Sequence, residues 1–583
     1  MKLRTVHVHN FRGVLDQEIS LKGYSLLVGA NNSGKSTVID AIRAFYEKDG
    51  FKFKPDNDFP YGTTSDQESW VELSFTLTDE EFESLADVYR TPSSTELRVR
   101  KYFKTDTKMH DGKPAAGFIF GYKADGSLSD ESFYGAKNVQ SGKFGDLVYI
   151  PAISKVDEHA KLSGPSALRD LLNDIMSDVV KSGEAYGEFK AGVQTFSESI
   201  RHEETSDGRS LSGFEAELNS LLVSWQTNFT LKFPPPPAAD IVRSMLKWDL
   251  IDQVHGREQD IESFGSGFQR HFIYALIQVG SRYVSSKRKT KAKDFTPELT
   301  LILFEEPEAF LHPPQQEELA RNLKALAGKE NWQVLCATHS AHFVSKNAED
   351  IPAIIRLSRS DAEVKTFQIS GNDWDSIIDA NQSINAIAGK YPKMAKRLQE
   401  DDLRPDMEAV KYFIWLNTDR SSAFFAEHVL LVEGPTEVAL ISKLISDGRI
   451  RNAHPGLHVM DCIGKYNIHR FMNLCIHMGL PHSVIHDDDR NRDEHIEINQ
   501  LIEDSKDPDL TLAIRPIPGE LGEMLGLPAP GGDHRKPQHT LYLYETGKID
   551  EEKLRAFCKL VEECLPADIA TTSKQSAESG QAP

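Results

Sequence analysis

The stretch Gly29-Ala30-Asn31-Asn32-Ser33-Gly34-Lys35-Ser36 constrains this chain more than any other. It follows the apolar run Leu26-Leu27-Val28 and precedes Val38, Ile39, Ile42 and Phe45, whose spacing marks one face of a helix. A strand that turns through such a loop straight into a helix predicts an α/β domain. It also predicts a phosphate cradle: the loop N–H groups and the helix N-terminus hold phosphates, Lys35 reaches β and γ oxygens, and Ser36 ligates Mg²⁺. Gly29, Asn31, Asn32, Ser33, Gly34, Lys35, Ser36 and Thr37 are therefore the expected ATP-binding residues.

At 583 residues the chain exceeds one hydrophobic core, which predicts two to four domains. No apolar run approaches the length of a membrane helix. The start, Met1-Lys2-Leu3-Arg4-Thr5, lacks the apolar core of a signal peptide, so a cytoplasmic protein without a membrane partner is expected. Five scattered cysteines without a Cys-x-x-Cys pair point to reduced thiols. A net charge of −21 argues against coating nucleic acid through a general basic surface. The local run Lys287-Arg288-Lys289-Thr290-Lys291-Ala292-Lys293 reads equally as a DNA contact or a solvated loop.

Strands are predicted from Thr5 to Arg12, at Leu26 to Val28, Val71 to Leu77, Phe118 to Tyr122 and Leu147 to Ile150. Residues 165–240 read as a helical insertion, expected to serve dimerisation and closed by Pro234-Pro235-Pro236-Pro237. The α/β pattern returns with a helix at Gly267 to Tyr283 and strands at Leu299 to Phe304 and Gln333 to Ala337. Residues 1–164 and 241–375 are assigned to one ATPase domain and 376–425 to a connector, the whole stretch from about 351 being mixed in pattern. A fresh α/β unit occupies 426–565, and the small, polar tail 566–583 is expected to be disordered.

Leu301-Ile302-Leu303-Phe304 leads into Glu305-Glu306. A buried strand ending in two carboxylates suits Mg²⁺ support by Glu305 and water activation by Glu306 as general base. Cys336-Ala337-Thr338-His339-Ser340 ends another strand and offers His339 as a γ-phosphate sensor. Between the phosphate loop and these strands, Gly265-Ser266-Gly267-Phe268-Gln269 opens a helix whose N-terminus favours an anion. The order Asn10-Phe11-Arg12-Gly13, phosphate loop, Gly265-Ser266-Gly267-x-Gln269, Leu301 to Glu308 and Thr338-His339-Ser340 resembles the ABC-type ATPases of the RecF/SMC group. That resemblance implies a dimer in which Ser266, Gly267 and Gln269 of one subunit complete the nucleotide site of the other. Glu305 departs from the Asp usual at its position.

In the last unit Val429-Leu430-Leu431-Val432 ends at Glu433-Gly434, and the helix that follows carries Glu437 one turn on. About fifty residues later Ser483-Val484-Ile485-His486 ends in Asp487-Asp488-Asp489-Arg490, with Asp487 and Asp489 expected on one side of the strand. Singly, Glu433 reads as a helix N-terminal charge and the Asp run as a solvated turn. Together they read as carboxylates converging on Mg²⁺ or Mn²⁺ for phosphodiester hydrolysis, with two ions at the site. Cys462-Ile463-Gly464-Lys465 reads as a strand end that approaches substrate, and Asp461 as a structural turn.

Glu433-Gly434-x-x-Glu437 followed by Asp487-x-Asp489-Arg490 resembles the Toprim fold, and the ATPase-then-Toprim order resembles the OLD (overcoming lysogenization defect) nucleases over nearly the whole chain. The fold this implies is α/β: an ABC-type, RecF/SMC-like ATPase domain with a helical insertion, followed by a Rossmann-like Toprim domain. The resemblance further implies a downstream metal-ligating Glu, here Glu523 or, second, Glu520, and a late lysine, Lys536, that offsets charge on the phosphate. It implies DNA as substrate, a homodimer or higher homo-oligomer, defence against phage or mobile DNA, and a co-encoded partner such as a helicase or a reverse-transcriptase/RNA unit. The competing expectation is a repair ATPase whose Toprim domain binds DNA without cutting it.

Overall fold

The computed structural model of the chain describes all residues except 48–49, 92–93, 136–142, 153–183, 238–239, 242–247, 254, 284–294, 296, 345–347, 361–362, 393, 395–403, 405–406, 409–410, 413–415, 452, 491, 529–531 and 567–583. The basic run from Lys287 to Lys293, much of the insertion and the tail from 567 thus lie outside the described residues, Thr571 to Ser576 among them. The chain divides into two compact units, Met1–Ala152 with Thr290–Pro583, and Ile153–Lys289. No helix among the described residues is long and apolar enough to cross a membrane.

The larger unit holds two α/β domains. The first is built on a six-stranded sheet ordered Asp146–Ile150, Thr300–Glu305, Trp332–Ala337, Tyr24–Val28, Ile354–Ser360, Glu363–Gln368. Its neighbours pair in parallel except the last two, which are antiparallel. Leu301 to Phe304 and Val334 to Ala337 are buried on both faces, which is why these strands read as unbroken apolar runs rather than alternations. Glu305 pairs with Ala337 and Ala337 with Leu27, so three strands end at one level. Loops at the carboxyl ends of parallel strands form the crevice where such sheets bind ligands.

A second, antiparallel sheet runs Val14–Ser20, Lys2–Phe11, Ser69–Thr76, Glu96–Lys104, Ile119–Tyr122, Leu128–Ser132. The helix Lys35–Tyr46 packs Val38, Ile39, Ile42 and Phe45 into the core that both sheets share, beside Leu3, Val8, Phe75, Leu301 and Leu303. The second domain has a fully parallel sheet ordered Leu457–Asp461, His428–Val432, His482–Asp487, Thr511–Ile517. Its own core joins Leu430, Val432, Ile485 and Ile517 to Leu440, Leu444, Phe557 and Val561 of the flanking helices.

The two domains meet at the pair Ile354–Ser360 and Glu363–Gln368. Arg356 is 2% exposed and, among the described residues, has no carboxylate against it. Its Nη1 donates to the carbonyls of Gly479 at 2.6 Å and Met478 at 3.2 Å, its Nη2 to Ala426 at 3.3 Å, while its Nε has no partner among the described residues. Burial pulls the guanidinium down to about 10, so it stays charged. Phe367 lies so close to Gly479 that a Cβ there would stand 2.4 Å from the ring. The same strand pair also abuts the phosphate loop: a Cβ on Gly29 would meet the Leu357 carbonyl at 2.2 Å, and one on Gly34 would meet Val364 at 2.8 Å.

In the smaller unit the helices Glu184–His202 and Leu211–Leu222 are tied by Arg201 to Glu215 at 2.7 Å, and Phe196, Phe214, Leu221 and Trp225 are exposed. The helix Ser266–Tyr283 follows the short antiparallel pair Leu250–Asp252 and Arg257–Gln259.

Arg356→Met leaves three buried carbonyls without their donor and costs about 2 kcal/mol or more, since each orphaned buried acceptor costs about 1 kcal/mol or more. Calorimetry checks this as a thermal midpoint several degrees lower; an unchanged midpoint contradicts it. A second expectation concerns acid. Burial lowers His428 to about 4 and His469 to about 3, against 6.5 for a free imidazole. Both are neutral in the fold and take up protons on unfolding, so their contribution is complete above pH 6.5 and is lost as pH falls from 6.5 toward 4 and 3. The slope of thermal midpoint against pH below 6.5 is therefore shallower in a His428→Gln, His469→Gln double variant than in the parent chain.

Candidate active sites

The phosphate loop needs backbone that only certain residues tolerate. Gly29, Asn32 and Gly34 sit at φ of 138°, 62° and 105°. The helix that follows has no acidic residue in its first turn, which leaves its N-terminal N–H groups free to favour an anion. Asn31, Asn32 and Ser36 are exposed, Ser33 is buried and Thr37 half-buried. The Lys35 ammonium is buried and donates to the carbonyls of Gly29 and Ala30, each at 2.8 Å. Burial lowers it to about 8, and the charges of Glu306 and Glu308 pull the other way.

Glu306 leaves the strand Thr300–Glu305 in left-handed backbone, φ 44°, with its N–H on the Ala337 carbonyl at 2.7 Å. His339 Nε2 lies 3.9 Å from its carboxylate. Burial and the nearby Lys35 charge lower the His339 imidazole, while Glu306 opposes them. Lys35, Glu306 and His339 thus face one point. Glu305 is turned aside to accept the Tyr149 hydroxyl at 2.8 Å. Glu308, which the sequence marked only as part of a motif, is mostly buried and accepts from Thr338 Oγ1 at 2.8 Å and from the His339 N–H. Burial raises its carboxyl, and those hydrogen bonds restrain the rise. Arg12 pairs with Asp40 and Asp58, each at 2.8 Å, fixing the Asn10-Phe11-Arg12-Gly13 turn to the loop's helix.

In the smaller unit, Ser266 and Gly267 open the helix Ser266–Tyr283. Gln269 Nε2 donates to the Phe264 carbonyl at 2.8 Å, which holds the turn before the helix closed.

The second domain gathers its acids at the carboxyl ends of two adjacent parallel strands. Glu433 Oε1 accepts the Asp487 N–H at 2.7 Å, and Glu437 accepts the Gly434 N–H at 3.1 Å. Asp487 Oδ1 accepts the Leu521 N–H at 3.0 Å. The strand ends at Asp487, and Asp489 returns to the cluster through left-handed backbone at φ 49° rather than by strand alternation. Burial raises Glu433, and the Asp487 charge adds to it. Burial also raises Asp487, with Glu437, Asp489 and Glu520 adding. Asp489 is held low by His495 and Lys465. Burial raises Glu437, and the hydrogen bonds it accepts from backbone N–H groups and the Lys536 charge restrain the rise; Lys536 also lies 3.8 Å from Glu520. Glu523 folds onto the backbone at Gly519, where a Cβ would meet its carboxylate at 2.3 Å.

These donors are hard oxygens that repel one another, the set that Mg²⁺ or Mn²⁺ takes. Each of Glu433, Glu437 and Asp487 nevertheless spends an oxygen on a backbone N–H. Among the described residues no group of three or more His, Cys, Asp and Glu stands ready to hold a metal ion. Of two further site residues, the sequence offered one only as part of a strand end approaching substrate and the other not at all. Lys465 points into the cluster from the neighbouring strand end, and His495 Nδ1 lies 3.1 Å from Asp489. The only signal for the lysine was its place after Gly464.

Residues 424–489 match the family described as overcoming lysogenization defect protein-like, TOPRIM domain, and residues 1–149 and 101–344 match the AAA ATPase domain. The chain is similar to the Old nuclease of Escherichia phage P2, 23% identical over 505 residues that span 84% of this chain and 77% of the relative. It is similar also to endonuclease GajA of Bacillus cereus strain VD045, 22% identical over 506 residues that span 84% and 75%. The SMC head domain from Thermotoga maritima aligns with 64% of this chain and 100% of its own length, at 13% identity and a TM-score of 0.30. The chain thus belongs to the AAA ATPase domain family over more than half its length, carries an OLD-like Toprim domain after it, and is similar to OLD-type nucleases across most of its length.

Proposed function

We propose that this protein is an ATP-hydrolysing, metal-dependent DNA endonuclease acting in the cytoplasm in defence against phage or mobile DNA. The observation that carries the nuclease reading is the mutual pressure among Glu433, Glu437, Asp487 and Asp489. Acidic groups brought to parallel strand ends, three of them raised by burial and by neighbouring charge, call for a divalent cation. Glu433, Glu437, Asp487 and Asp489 are the ligands we assign, with Glu523 or Glu520 completing the set; the proximity of Glu520 to Lys536 favours Glu520. Bound ions supply the Lewis acidity that activates water and carries charge on the leaving oxygen. Lys536, half exposed, reaches the phosphate from the solvent side and offsets its charge.

In the ATPase domain Lys35 and the loop N–H groups hold the phosphates, Ser36 would hold Mg²⁺ together with Glu305 once that carboxylate leaves the Tyr149 hydroxyl, Glu306 takes the proton from water, and His339 reads the γ-phosphate. The Gly265-Ser266-Gly267-x-Gln269 segment of a second copy completes each site, giving a homodimer to which the exposed apolar residues of the insertion contribute. Nucleotide state gates the Toprim centre through the Ile354–Gln368 strand pair, which touches Gly29 and Gly34 on one side and Gly479 on the other. A second reading, a repair ATPase whose Toprim domain binds DNA without cutting, draws on the backbone caps that occupy three of the carboxylates.

Purified protein with supercoiled plasmid, Mg²⁺ or Mn²⁺ and a nucleotide series separates the two; no cleavage under any metal sinks the nuclease. Lys35→Ala lowers ATP turnover by about a hundredfold or more while the fold persists. Turnover at the parent rate in that variant refutes the phosphate-loop assignment. Glu433→Ala and Asp487→Ala abolish nicking and spare ATP hydrolysis. Either variant nicking at the parent rate would place the metal site elsewhere.

A further inference from the structure

Lys465 is 4% exposed and stands inside the acidic cluster without being one of its assigned groups. It arrives there by a strained path. Ile463, β-branched, holds φ at 56°, and Gly464 holds 101°. A β-branched residue in left-handed backbone persists only where its surroundings impose it. Here they do. Arg420 clamps Asp461 through the carbonyl at 2.8 Å and the carboxylate at 3.0 Å, Asp461 takes the Ile463 N–H, and the Gly464 N–H donates to the Glu433 carbonyl at 2.7 Å.

The result is an ammonium that donates to the Asp487 carbonyl and, at 3.4 Å, to Asp489 Oδ2. Lys465 is thereby tied to both ends of the Asp487–Asp489 turn, while solvent, and hence a DNA phosphate, is kept from it. Lys536, by contrast, is 45% exposed on its side chain and lies 3.8 Å from Glu520 at the solvent edge of the cluster.

We propose that Lys465 is a positioning residue of the Toprim centre: it locks the Asp487–Asp489 turn against Glu433 and supplies the internal positive charge that lets these carboxylates converge. The proposal rests on the nuclease reading above. Two consequences pull in opposite directions. Loss of the lysine frees the turn, which slows cutting. It also removes a cation that competes with metal for the same oxygens, which tightens metal binding.

The test uses the full chain with Lys465→Met and Lys465→Gln, the glutamine keeping a donor for the Asp487 carbonyl. ATP turnover and thermal midpoint are measured beside Mn²⁺ titration calorimetry and plasmid cleavage at saturating Mn²⁺. Both variants are expected to keep ATP turnover, to bind Mn²⁺ at least as tightly as the parent, and to cut about thirtyfold slower. Lys465→Arg, which keeps the charge, regains part of the rate. A purely structural lysine would instead lower the thermal midpoint and weaken Mn²⁺ binding in step with cutting, and that outcome overturns the proposal. So does either variant cutting at the parent rate. A parent chain that neither binds Mn²⁺ nor cuts plasmid overturns the nuclease reading itself and this proposal with it.

Discussion

The larger unit turns on one guanidinium. Arg356 sits on a strand next to the one that feeds the phosphate loop, yet its hydrogen bonds all go to the Toprim side. A buried charge without a counter-charge is costly unless dipoles replace water around it. Met478 and Gly479 provide them, because they follow the helix Ile468–His477 and carry the negative end of its dipole. The contact is therefore directional in a way that apolar packing is not: the C-terminal end of that helix and the Ala426 carbonyl together satisfy Arg356, which fixes how the Toprim sheet docks.

Both domains solve the same electrostatic problem. Each is a parallel sheet whose strand ends place carboxylates within reach of one another, and each buries one lysine among them. Lys35 stays on the carbonyls of its own loop with Glu306 and Glu308 nearby, and Lys465 stays on the carbonyl and carboxylate of the Asp487–Asp489 turn. In each case a strained left-handed residue, Glu306 or Asp489, turns the acid into place.

Much of this was legible in the sequence because parallel strands buried on both faces leave unbroken apolar runs. Leu301 to Phe304, Val429 to Val432 and Val484 to Ile485 announced themselves, and each ends at an acid. The strand Ile354–Ser360 did not, since Arg356 and Arg359 interrupt it and only a partner domain explains a buried arginine. The strand Leu457–Asp461 was fainter, because it lies at the sheet edge and is only half-buried, so its end could be read at Cys462 to Lys465 but not the lysine's place among the acids. Asp489 was placed in the cluster for the wrong reason: alternation would have carried it there along a strand that in fact stops at Asp487. The choice between Glu520 and Glu523 depends on side-chain direction around Gly519, which spacing alone does not encode.

The contact of Phe367 with Gly479 limits how evolution or an engineer can recombine these halves. An aromatic ring occupies the space that any side chain at 479 would need, and Gly479 itself sits at φ 60°. The seam between the domains therefore does not fall at the connector, where the sequence changes character, but along the strand pair Ile354–Gln368. A Toprim domain transplanted from residue 426 onward would leave its matching surface behind on the donor ATPase. The portable module is the Toprim domain together with that strand pair and the connector, whose buried Glu408 pairs with Arg470, and because the strand pair also abuts both glycine ends of the phosphate loop, moving it carries part of the nucleotide site along.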